Sequence, residues 1–113
     1  MAALTIEVIN LAGNIDPTFV AADAGDDTFT NDSKNNTFVY IKNGGGGPIT
    51  ATFDDTGSVA PTGAKAFDAD VDQVIAAGEE ALNGPFPQSR FGSSVTVAYT
   101  SVSSVTVAAF RLS

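Results

Sequence analysis

Cysteine, histidine and tryptophan are all absent from the 113 residues. Without the first two there are no disulfides, no thiolate or imidazole metal ligands, and no nucleophilic scheme that depends on Cys or His. Basic side chains are scarce as well. Lys34, Lys42, Lys65, Arg90 and Arg111 stand against 13 carboxylates, a formal net charge of -8. Spread in this way they cannot neutralise a run of phosphates, so nucleic acid is not an expected partner. No segment approaches the roughly 20 apolar residues of a membrane span, and the stretch from Met1 to Glu7 lacks the positive and apolar regions of a secretory signal. The expectation is therefore a soluble protein made in a cytoplasm, with no membrane partner. Its length fits a single domain, 1–113, with a core large enough to hold without staples.

What the chain has in quantity is strand pattern. In residues 49–54, Ile49, Ala51 and Phe53 alternate with Thr50, Thr52 and Asp54, the period of a half-buried strand. Residues 37–43 differ, because Phe38, Tyr40 and Lys42 alternate with Thr37, Val39 and Ile41 and both faces carry apolar groups. Such a strand is either central or part of an interface. Between the two runs lie Gly44, Gly45, Gly46 and Gly47, which predict a hairpin with a mobile loop, and Pro48 suits the first strand position.

Elsewhere Leu4, Ile6 and Val8 alternate with polar residues, and residues 18–21 predict a second short strand after the turn formers of 14–17. Residues 23–36 are rich in Asp, Asn and Thr and predict a loop pinned by Phe29. Residues 55–65 predict another surface connection. For 67–82 helical spacing competes with strand context; a strand near 71–77, a turn at Gly78 and Glu79, and a short strand before Asn83 are expected. Pro85 and Pro87 predict an extended segment over 84–91. Val95, Val97 and Tyr99, then Val105, Val107 and Ala109, mark two last strands, expected to form an antiparallel hairpin. Seven or eight short strands give an all-β fold, an antiparallel β-sandwich, with a jelly roll or small barrel as the alternative.

Chemical constellations are weak by comparison. Asp68, Asp70 and Asp72, with Glu79 at the twelfth place, resemble a calcium loop, but Gln73 stands where that loop needs glycine and Val71, Val74 and Ala76 are apolar. Asp23, Asp26, Asp27 and Asp32 share a turn-rich stretch, which is common without metal. No pair among the carboxylates is marked out for acid–base work, and no metal or cofactor is expected. The glycine run lacks the following Lys-Ser/Thr of a phosphate loop. Phe38, Tyr40, Phe86 and Phe91 are possible members of a sugar-stacking platform, though aromatic strand residues are usually core. Arg111 suits a structural ion pair and Arg90 an interface.

Three stretches taken together resemble small structural proteins of tailed bacteriophages. They are Thr37-Phe-Val-Tyr-Ile-Lys-Asn-Gly, then Gly84-Pro-Phe-Pro with Arg90-Phe91, and the closing Val95-Thr-Val-Ala-Tyr with Val105-Thr-Val-Ala-Ala-Phe-Arg-Leu. The resemblance implies a non-enzymatic virion component, a capsid decoration (cement) protein on the outer surface of a head built from major capsid protein. It supplies no catalytic residues. Sister copies are a further partner it allows, and a neck or tail component is an alternative within the virion. The reading from another class is a carbohydrate-binding module on a virion or cell surface; a carboxylate hydrolase ranks behind both. For a decoration protein the expected contact surfaces are the N-terminal segment, the loop of Gly44, Gly45, Gly46 and Gly47, and, preferred, residues 84–91. There Phe86 and Phe91 would act as apolar anchors and Arg90 as a bidentate donor to a carboxylate on the shell.

Overall fold

The computed structural model describes residues 2–9, 17–32, 34, 36–54 and 70–112. The turn residues 14–16, the connection 55–65 and Asp68 lie outside the described residues. Among the described residues ten strands form two sheets packed face to face, a β-sandwich. They are β1 (Ala2–Ala3), β2 (Ile6–Ile9), β3 (Val20–Ala21), β4 (Asp27–Thr30), β5 (Thr37–Asn43), β6 (Ile49–Phe53), β7 (Val71–Ile75), β8 (Glu80–Asn83), β9 (Ser94–Tyr99) and β10 (Val105–Leu112). The first sheet runs β1-β4-β9-β6-β7, and the second runs β2-β10-β5-β8 with β3 also paired to β10. Two pairs, β1 with β4 and β2 with β10, are parallel, so the sheets are mixed.

The alternation read from the sequence sets the core. Val39 and Ile41 of β5, Ala51 and Phe53 of β6, Val95 and Val97 of β9, and Val107 of β10 are each fully buried between the sheets. Strand β4 falls within the stretch expected to be loop. Its Asp and Thr residues suggest turns, yet Phe29 is buried, and burial of that ring together with the pairing to β9 outweighs local preference.

Both expected hairpins are absent, and for one reason. Strands β5 and β6 belong to opposite sheets, and so do β9 and β10. Their connections, 44–48 and 100–104, are arches that span the gap between sheets. A two-residue turn joins strands about 4.8 Å apart, whereas facing sheets lie about 10 Å apart and need a longer link. The turn after Ile75 was expected where it occurs, but it too is an arch, since β7 pairs with β6 and β8 pairs with β5.

Residues 84–91 depart from the extended path. Gly84–Pro85 is cis, Gln88–Phe91 forms one helical turn (α1), and the segment folds inward. Gly84 is fixed by space: a Cβ there would lie 2.7 Å from the Phe38 Cβ and 2.8 Å from the Thr37 oxygen. The segment carries Phe86 into the end of the core, where its ring meets Phe29, Phe53 and Phe91 at centroid distances of 5.3, 5.0 and 5.3 Å.

Because Phe53 and Val97 have no exposed surface, Phe53→Asp and Val97→Asp each bury a carboxylate among apolar groups at a cost of several kcal/mol. Neither variant is expected to give a cooperative thermal transition. Thr96→Asp, one residue away on the outer face, is expected to melt within a few degrees of the wild type.

Candidate functional site

The three arches 44–48, 76–79 and 100–104 meet at one end of the sandwich, and Asn43, buried at the close of β5, ties them together. Its Nδ2 donates to the carbonyls of Gly47 (2.9 Å), Ile75 (3.0 Å) and Ala76 (3.3 Å). Its Oδ1 accepts from Gly45 N at 3.1 Å, while its own backbone bonds to Glu79 and Gly78. The glycine loop is thus pinned rather than loose. Gly44 and Gly45 are required by close approach, since a Cβ on either would stand 3.0 Å from the carbonyl oxygen of Ser104 or Ser103. At Gly46 and Gly47 a Cβ would meet nothing within 4 Å, so that part of the loop is bare exposed backbone.

The preferred contact stretch is rearranged by the fold. Phe86 and Phe91 are each 3% exposed and serve as core, which removes them as surface anchors. The open end of the sandwich takes their apolar area more favourably than water does. Arg90 stays exposed on α1, with its guanidinium carbon 5.3 Å from the Phe91 ring centroid. Asn31 holds this end as Asn43 holds the other, its Nδ2 donating to the carbonyls of Phe86 (2.8 Å) and Gly92 (3.0 Å). No sugar-stacking platform of the four aromatic residues forms, because Phe86 and Phe91 are core while Phe38 and Tyr40 point outward.

The acidic residues are likewise dispersed. Asp23 closes its own turn through Gly25 N, Asp32 faces Arg111 at 3.9 Å across a surface pair, and Asp72 accepts from Thr52 Oγ1. Among the described acidic residues it is Asp27 that is buried, where its Oδ2 accepts from Tyr99 Oη at 2.7 Å and from Asp23 N at 3.3 Å and its Oδ1 has no hydrogen-bond partner. Burial pushes the Asp27 carboxyl above the usual carboxylate range, against the lowering effect of the Tyr99 bond. Burial likewise raises the Tyr99 phenol, with the Asp27 bond adding to it. Among the described residues no group of three or more acidic side chains is placed to hold a metal ion.

A surface of different character covers the outer face of the second sheet. The register sets Phe110 beside Phe38, Ala108 beside Tyr40 and Tyr40 beside Leu82. The Phe38 and Phe110 rings stack at 5.7 Å, and Phe19, just ahead of β3, meets Tyr40 edge-on at 5.3 Å over the small Ala108. Lys42 Nζ lies 4.1 Å from the Phe19 ring centroid, and the Tyr40 hydroxyl donates to Glu80. Leu82 and Leu112 remain 62% and 49% exposed. The outer face of the first sheet is richer in hydroxyls: Thr28 pairs with Thr96, Thr30 with Ser94, and Thr50 and Thr52 continue on β6, with Val74, 64% exposed, opposite Thr50. The two-sided apolar pattern of residues 37–43 signalled the first of these faces; the parts played by Leu82 and Phe19 left no separate trace.

No family model, curated protein or solved structure matches this chain.

Two outcomes test this geometry. Asn43→Asp keeps the side-chain shape but loses the donor and sets an anion against three carbonyls. It is expected to lower unfolding free energy by about 3 kcal/mol or more, read by urea titration. The second concerns pH. Since the folded chain holds the Asp27 proton more tightly than the unfolded chain, the contribution of this group to stability is fully present below the ordinary value of 3.8. That advantage fades as pH rises through the raised folded value. Asp27→Asn, neutral throughout, escapes this loss, so its melting temperature relative to wild type is expected to rise between about pH 4 and pH 7.

Proposed function

We propose that this chain is a non-enzymatic virion structural protein, a capsid decoration protein held on the outer surface of a head made of major capsid protein. The observation that carries the reading is the unlikeness of the two outer faces. A protein that caps a shell has one side against the lattice and one against water, and this sandwich has an aromatic and aliphatic side and a side rich in threonine on which Val74 is the exposed apolar residue opposite Thr50. The sequence resemblance to small tailed-phage structural proteins points the same way. So does a fold devoted to packing, in which buried polar side chains such as Asn43 and Asn31 bond to backbone. The protein would reside on virions after synthesis in the host cytoplasm. Binding at many equivalent lattice positions would let modest affinity per copy add up to a stiffer shell.

Purified chain is to be added to heads of the encoding virus assembled without it, with occupancy read by electron microscopy and heat resistance by release of packaged genome. Saturable occupancy and release at a higher temperature are expected. Heads that take up none of the chain would overturn the reading.

A further inference from the structure

We infer that the outer face of the β2-β10-β5-β8 sheet docks on a protein surface that is apolar at its centre and basic at its rim, and that this surface belongs to another protein, not to a second copy of this chain. The inference rests on the decoration reading, under which that surface lies on a capsid subunit. Its first support is exposed apolar area that the fold does not need. Leu82 stands open beside Tyr40, and Leu112 stands open two residues along β10 from Phe110, so the partly covered Phe38 and Tyr40 lie between the two exposed leucines on one sheet face. Contiguous apolar surface rimmed by polar groups marks interaction sites, and aromatic residues concentrate at such centres.

Its second support is charge. The patch is flanked by Glu7 on the β2 edge and Glu80 on the β8 edge, both on the outer face by register with Phe110 and Lys42. Among the described residues the cation within the patch is Lys42, which is set over the Phe19 ring. Two copies meeting through this face would bring acidic edges together while each chain carries a net charge of -8. Like charges across an interface are costly, whereas Arg or Lys on a partner would meet acidic edges, where Glu7 also accepts from Thr18 N and Glu80 from the Tyr40 hydroxyl, and would speed encounter at low salt.

The test uses the same heads lacking the chain. Leu82→Glu and Leu112→Glu each set a carboxylate in the patch at an already exposed position, and Val74→Glu does so at an equally exposed position, 64%, on the other sheet. All three are expected to melt like the wild type. Occupancy is expected to fall about tenfold or more for the two leucine variants and to stay unchanged for Val74→Glu. Raising salt from about 0.05 M to about 0.5 M is expected to weaken wild-type binding, and less so for Glu80→Gln. Wild-type binding that survives both leucine changes would overturn the docking face and leave the decoration reading standing. Absence of wild-type binding would overturn both. Sedimentation showing a dimer that Leu82→Glu dissolves would identify a second copy as the occupant and overturn the inference.

Discussion

The structure depends on how a dry core is closed where the chain crosses between sheets. From β3 onward, every step but the one from β6 to β7 changes sheet, so turns that a meander would leave in solvent instead run across the ends of the sandwich. Peptide groups there lose water and must find other partners. Asn43 meets this need at one end with an amide that can donate twice and accept, and a carboxamide is the smallest side chain with that combination. Serine has too few donors and a carboxylate has none. The same residue type stands at the other end as Asn31, which binds the oxygens of Phe86 and Gly92. Each end is held by one side chain reaching carbonyls more than 30 positions away in sequence.

Glycine placement follows from that closure. Gly44 and Gly45 let the first arch run close against the third, where a Cβ would press to 3.0 Å from the carbonyl oxygens of Ser104 and Ser103. Gly84 performs the same service against β5, where the chain turns inward to deliver Phe86. The aromatic contacts of Phe86 with Phe29, Phe53 and Phe91 then fill the space that the twist of two sheets leaves open at an end.

Fold class was legible because burial with period two is local: Ile49, Ala51 and Phe53 announce a strand with one wet face whatever they pair with. Pairing was not legible. The alternation of β5 and β6 is the same whether they share a sheet or face one another, and only the length of 44–48 argues for an arch. The strand at Asp27–Thr30 was hidden because its polar residues hold either an outer hydroxyl position, as Thr28 and Thr30 do, or a buried bond, as Asp27 does with Tyr99. For the candidate site, the aromatics of 84–91 misled for a related reason. Proline-bounded Phe and Arg suit a docking loop, but a hydrophobic ring next to an uncovered core end is drawn into it. The pattern of residues 37–43 left open a central strand or an interface; β5 lies between β10 and β8, and Phe38 and Tyr40 meet Leu82, Phe110 and Phe19 only through register.

Why one outer face should be apolar at all is the question that ties fold to role. Threonine satisfies the strand preference for β-branched side chains while presenting a hydroxyl to water, and the first sheet uses it at Thr28, Thr30, Thr50, Thr52 and Thr96. The second sheet had the same option. Its outward positions on β5, β8 and β10 instead hold Phe38, Tyr40, Leu82, the buried Phe110 and Leu112, and the exposure of Leu82 and Leu112 gains the monomer little and raises the risk of unwanted association. Part of that area is covered by Phe19 and by mutual stacking, which stabilises the sheet, yet Leu82 and Leu112 are left in water. Stability of the isolated domain therefore accounts for the rings at the centre and not for the leucines around them. The docking surface proposed above would account for both.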